Sequence, residues 1–320
     1  MSLDPNPSRG ITLAEHLAAL KRRSSTFVPG AGATYWTIGE KYSMVREPTY
    51  CLDVPSPREV REVLWRCRAV VASYNRPADA MYPPNAWLYV CRNQNYRVED
   101  LESAARRDVR RALREFRYEF IDEPTLLDKG VAAFCDTRSR VGLADGTPET
   151  FRHHFRGFLD SPENHVLAAW RDEPAAEPFL AAFMSLSIID DWVVIAAYAA
   201  TKHLRFCPNN GLLHSAMDLF LAQRKLQGID YGLSSIQEIG KADSLHRFKV
   251  RMGFEAIPIH RAFVFHPMLR PLANPLTLWG LRTWSRLQPK NRRLRKATGL
   301  LAAYLGKHCA LAGPQETGDS

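Results

Sequence analysis

Between Ala256 and Gln315 the chain has no aspartate or glutamate, against ten lysines and arginines. The first 255 residues nearly balance, with 33 basic and 32 acidic side chains, so the net charge of +9 belongs to the C-terminal segment. Two readings of that segment stay open: a solvated basic tail, or a surface for anionic lipid or nucleic acid. No apolar run reaches the ~18 residues of a membrane-spanning helix. The residues MSLDPNPSRG lack the basic flank and apolar core of a secretory signal. The six cysteines (Cys51, Cys67, Cys91, Cys135, Cys207 and Cys309) are scattered and form no C-x-x-C. That argues against a disulfide framework or zinc site and for a reducing, cytoplasmic location. There is no internal repeat and no G-x-S-x-G, P-loop or Rossmann fingerprint. His153 and His154 are adjacent and cannot converge from one helix, so no metal is expected.

Hydrophobic content of 46% and charged content of 24% suit a soluble globular protein, and 320 residues allow one large or two moderate domains. Residues 1–30 read as poorly ordered, apart from a short helix at Leu13–Arg22. Residues 35–55 suggest short strands. Ser56-Pro57 starts a helix that Val60, Leu64, Cys67 and Val71 continue at helical spacing. Ala86–Cys91 is a strand, and Asp100–Phe116 a helix with arginines along one broad side. That side is either a solvated basic face or one that meets phosphates. Pro124–Arg140 and Pro148–Leu159 are helical. A meander follows: His165–Trp170, Phe179–Ile188, a turn at Asp190-Asp191, and Trp192–Ala199. Asn209 or Asn210 caps a helix running to Gln227, which Gly228 stops. Strand Ile229–Leu233, helix Asp243–Met252 and strand Glu255–Phe265 complete the order.

The stretch Ile229–Phe254 reads IDYGLSSIQEIGKADSLHRFKVRMGF. A strand with D-x-G, a polar loop, "RFK" and then "GF" resembles the acyltransfer domain of the GNAT superfamily. Its closer likeness is to the Fem-type peptidoglycan bridge-forming aminoacyltransferases. The resemblance implies an α+β fold with a mixed, mostly antiparallel GNAT-type sheet flanked by helices. It implies a GNAT-like domain at 130–268, an N-terminal α/β region at 31–129 that could be a degenerate second copy, and a basic segment at 269–320.

The implied chemistry is transfer of an acyl group to an amine, of an amino sugar, amino acid or peptide, through a tetrahedral intermediate. The donor would be acyl-CoA, such as acetyl-CoA, or aminoacyl-tRNA. In this fold the donor's arm lies along Val193–Ala200 and its phosphates meet the following loop and helix start. Ala199, Thr201, Arg205, Asn209, Asn210, Gly211 and Leu212 are the donor-binding candidates. The usual R/Q-x-x-G-x-G/A signature is not matched, because Arg205 and Gly211 are six apart and Pro208 lacks an N–H. Lys249 matches the lysine of "FK", whose implied role is oxyanion stabilisation. Glu238 is the candidate base for the amine. Ser235, Lys241, His246 and Arg247 are candidates for contacts with acceptor or phosphate. Residues 271–306 have the Trp, Leu, Lys and Arg content of an interfacial helix, so peripheral contact at the inner face of the membrane is a further expectation. A catalytically inactive membrane- or nucleic-acid-binding module on the same fold is the alternative from another class.

Overall fold

The computed structural model describes residues 10–22, 27–39, 42–140, 146–172, 177–234, 242–288 and 291–306. Helix α1 (Leu13–Arg22) precedes strands β1 (Phe27–Pro29), β2 (Tyr35–Ile38) and β3 (Ser43–Glu47). Helix α2 (Pro57–Arg66) leads to β4 (Val71–Pro77) and β5 (Ala86–Cys91). Helix α3 (Ser103–Glu115), strand β6 (Arg117–Phe120) and helices α4 (Glu123–Lys129), α5 (Val131–Arg140) and α6 (Pro148–Phe155) come next. Strands β7 (Asn164–Arg171), β8 (Phe179–Ile189) and β9 (Trp192–Ala199) form the meander. After a 3-10 turn at Thr201–Phe206, helix α7 (Pro208–Met217) ends in a π turn at Asp218–Gln223. Strand β10 (Gly228–Leu233), helix α8 (Ala242–Arg251), strand β11 (Glu255–Phe265) and helices α9 (Pro275–Leu287) and α10 (Arg292–Tyr304) close the order.

The chain divides into two compact units, each built from segments that are discontinuous in sequence. The first comprises Met1–Ala19, Val90–Tyr231 and Phe248–Glu255. Its strands run in the order β10-β9-β8-β7-β6, antiparallel except for the parallel pair β9/β10. Phe134, Phe151, Phe155 and Phe183 are fully buried against this sheet and pack with Tyr198. Each such ring contributes roughly 2–3 kcal/mol by leaving water. The second unit comprises Leu20–Tyr89, Gly232–Arg247 and Ala256–Ser320. Its strands run β1-β2-β3-β4-β11-β5. Helix α2 seats Val60, Val63 and Leu64 on Trp36, Met44 and Ala72. Helices α9 and α10 pair through Leu278, Leu301 and Ala302.

Several boundaries differ from expectation for physical reasons. Helix α2 stops at Arg66, because Arg68 is left-handed (φ 49) and the Ala69 N–H returns to Leu64 O, so Val71 opens β4 instead of extending the helix. The expected helix 124–140 breaks into α4 and α5 at Gly130. A Cβ there would stand 2.7 Å from Leu126 O and 2.9 Å from the Phe151 ring. Neither asparagine caps α7, whose N-cap is the left-handed Cys207. Gly228 does not stop that helix either; Lys225 (φ 57) turns the chain, and Gly228 lets β10 pass the Trp192 ring.

Candidate active site

Strands β9 and β10 run side by side from Trp192↔Gly228 to Val194↔Asp230. The Ala200 N–H bonds to Ala181 O on the β8 side. Main-chain groups alternate sides along a strand, so Ile195, Ala197 and Ala199 direct theirs away from β8. Ala199 confirms the parity, because its N–H donates to Thr137 Oγ1 (2.8 Å). Its carbonyl accepts from Thr137 Oγ1 (3.2 Å) and Arg140 Nη1 (2.9 Å). The end of this edge is therefore closed by α5. Past Val194, the main chain of Ile195 and Ala197 forms the part that a bound arm can pair with.

Tyr231, the first β10 residue past the shared register, gives its carbonyl to Lys249 Nζ at 2.9 Å. The same ammonium lies 4.3 Å from the centre of the Tyr231 ring. Lys249 is only 3% exposed, because α8 carries it inward with Met252 while Leu245 and Val250 face water. Burial lowers its pKa to about 8, and the buried Asp230 carboxylate opposes that shift. Burial also pushes the Tyr231 phenol up to about 12, with a further contribution from Tyr198 of β9. A desolvated ammonium attracts a developing negative charge far more strongly than a surface lysine would.

The start of α7 is built differently from a phosphate cradle. Pro208 has no N–H, and the Asn210 N–H is already spent on Cys207 O. The Asn210 side chain donates to Met252 Sδ at 3.4 Å. A Cβ on Gly211 would lie 1.8 Å from the Tyr118 oxygen, so glycine is there to admit that ring. Leu212 is fully buried core. Of the donor candidates, Thr201 and Arg205 remain at the surface; the Thr201 N–H bonds to Asp136 Oδ2 at 2.7 Å. Asn209 is half-buried. These residues do not fit a CoA pyrophosphate held by helix amides.

The cations around this corner are side chains. Lys202 stands 3.7 Å over the Phe179 ring, and Arg171 and Arg205 stand 3.8 and 4.6 Å from Phe206. Arg111 of α3 donates to Arg205 O at 3.1 Å, and Arg107, Arg110 and Arg114 are exposed on the same helix.

His246 belongs to the second unit, where its Nδ1 meets the Tyr89 hydroxyl at 3.0 Å and its ring lies 5.5 Å from Trp87. Arg247 is exposed. Ser235, Glu238 and Lys241 lie outside the described residues. Thr137, Arg140, Asp136 and Tyr231 escaped the sequence reading. Only the fold brings 137 and 140 to 199, although the polar end of α5 (DTRSR) was a faint signal.

No family model matches the chain, and no curated protein matches it. Among solved structures, FemX aligns with a TM-score of 0.54 at 11% identity, over 82% of this chain and 98% of that one. L-PGS from Bacillus licheniformis gives 0.47 at 10% identity, over 85% and 95%. A GCN5-related N-acetyltransferase from Kribbella flavida gives 0.41 at 14%, over 81% and 97%. At these identities the likeness is one of backbone course, and FemX carries it. The strand order, the parting of β9 from β10 and the likeness to FemX agree, and the chain has a GNAT-type fold in its Fem-like form.

Proposed function

We propose that this chain is an acyltransferase that moves an acyl group from an activated ester or thioester to an amine. The observation that carries the proposal is Lys249, buried with a lowered pKa and held on the Tyr231 carbonyl where β10 leaves β9. The acceptor nitrogen attacks the acyl carbon, a C–N bond forms, and the carbonyl π pair moves onto oxygen. The Lys249 ammonium stabilises that oxyanion. When the oxygen pair returns, the bond to the leaving sulfur or oxygen breaks, and the leaving group takes up a proton from the base or from water. Glu238 is proposed as the base that takes the nitrogen's proton.

Two donors are compatible with this reaction. The main-chain edge at Ile195 and Ala197 supports an acyl-CoA, whose arm carries amides to pair with it. The closed start of α7 and the side-chain cations Arg111, Lys202 and Arg205 support an aminoacyl-tRNA, whose phosphates are spread along a backbone. Calorimetry at physiological salt with acetyl-CoA, longer acyl-CoAs and aminoacyl-tRNA separates them. Saturable binding of one donor is expected. Failure of all of them to bind would sink the proposal and favour an inactive module.

A further inference from the structure

We infer that the outer face of α9 docks this chain onto an anionic lipid surface. Leu276, Trp279, Trp284 and Leu287 on that helix are 76%, 67%, 54% and 77% exposed. At 100° per residue they fall, with Gly280 and Thr283, within an arc of about 140°. The opposite face is already occupied: Leu278 and Leu281 pack with Leu301 and Ala302, and Ser285 Oγ meets Thr298 Oγ1 at 3.0 Å. The apolar side of α9 that looks outward is thus not the side that holds the helix to the protein. In the 3-10 turn Pro267–Leu272, just ahead of α9 in the chain, Met268 and Leu272 are 71% and 62% exposed.

The helix is formed before anything docks. Pro275 occupies its first turn, and Asn274 Oδ1 accepts the Thr277 N–H at 2.9 Å. Arg282 and Arg286 are exposed and flank the apolar arc on one side.

Charge selects the occupant. With ten cations and no carboxylate between Ala256 and Gln315, a second copy of this face would meet like charge. Nucleic acid would use the arginines but leave two leucines and two tryptophans in water. An anionic bilayer satisfies both, with Trp rings at the headgroup level, the leucines about 5–10 Å deep and the arginines on lipid phosphates. The inference is independent of the transfer reaction.

The test uses the full chain with phosphatidylcholine vesicles, with and without phosphatidylglycerol. Co-sedimentation is expected with the anionic vesicles, weakening as salt rises. Trp279→Glu with Leu287→Glu should reduce it at least about tenfold, with the thermal midpoint unchanged because both side chains are exposed. A readout that spares the fold is quenching of tryptophan emission by brominated lipid. The wild type should be quenched, and Trp279→Phe with Trp284→Phe should remove most of that quenching. Equal binding to neutral and anionic vesicles, undiminished binding of the double glutamate variant, or wild-type emission untouched by brominated lipid would overturn the inference. So would self-association of the chain through this face.

Discussion

Lys249 sits in an environment that resists its charge. With its pKa near 8, the lysine is charged at neutral pH and loses its proton as the solution becomes mildly basic. If the ammonium stabilises the oxyanion, transfer should fall as pH rises through about 8. Lys249→Arg keeps its charge there, so in any transfer activity it retains, a pH–rate profile should lack that falling limb. Stability should move the other way. Below pH 8 the lysine is protonated in both the folded and the unfolded chain, and the burial penalty is present in full. Above pH 8 the folded state releases its proton first, and the penalty is relieved until the unfolded lysine titrates near its ordinary value of 10.5. The wild type should therefore gain ~2–4 kcal/mol relative to Lys249→Met between those limits, read from urea unfolding at a series of pH values. At Gly211 the constraint is steric. Gly211→Ala should cost about 2–4 kcal/mol by forcing Tyr118 aside, while Tyr118→Ala with Gly211→Ala should show strong non-additivity in the same unfolding experiment.

Elements with a clear period were legible in the sequence. The strands at 164–199 emerged with nearly their observed bounds, because three short apolar runs, nearly all buried in the fold, are set off from one another by polar turn residues. Both turn residues, Asp190 and Asp191, are left-handed (φ 47 and 61), as a tight hairpin turn requires. Strand β4 was hidden because Val71 also fits the helical spacing of α2. Asn209 and Asn210 looked like caps but lie inside the first turn of α7, whose N-cap position is held by Cys207. At the candidate site, the RFK element located Lys249, but its partner Tyr231 O depends on where two strands part, which no local pattern encodes. The clamp on Ala199 is similarly invisible, because its residues are about 60 apart in sequence. Thr137→Val should leave the Ala199 N–H without its acceptor and lower stability by about 1–3 kcal/mol. Thr137→Ser should restore most of it. Thermal unfolding of the two variants checks this.

At the scale of the whole molecule, charge and fold divide their work. The candidate transfer site sits in a unit with mixed charge, whereas the acid-free segment builds the helix pair α9/α10. No helix among the described residues is long and apolar enough to cross a membrane. The sequence showed the basic imbalance but not which helix face carries the exposed tryptophans. That face is set by α10, which covers the other side.

The central claim is that Lys249 stabilises an acyl-transfer oxyanion. Its most direct test is the initial rate of donor consumption with a panel of primary amines, for wild type and Lys249→Ala. Thiol release reports on acetyl-CoA, and loss of labelled aminoacyl ester reports on tRNA. We predict amine-dependent turnover by the wild type and a loss of roughly 100-fold or more in the variant. A loss smaller than about threefold would contradict the assignment.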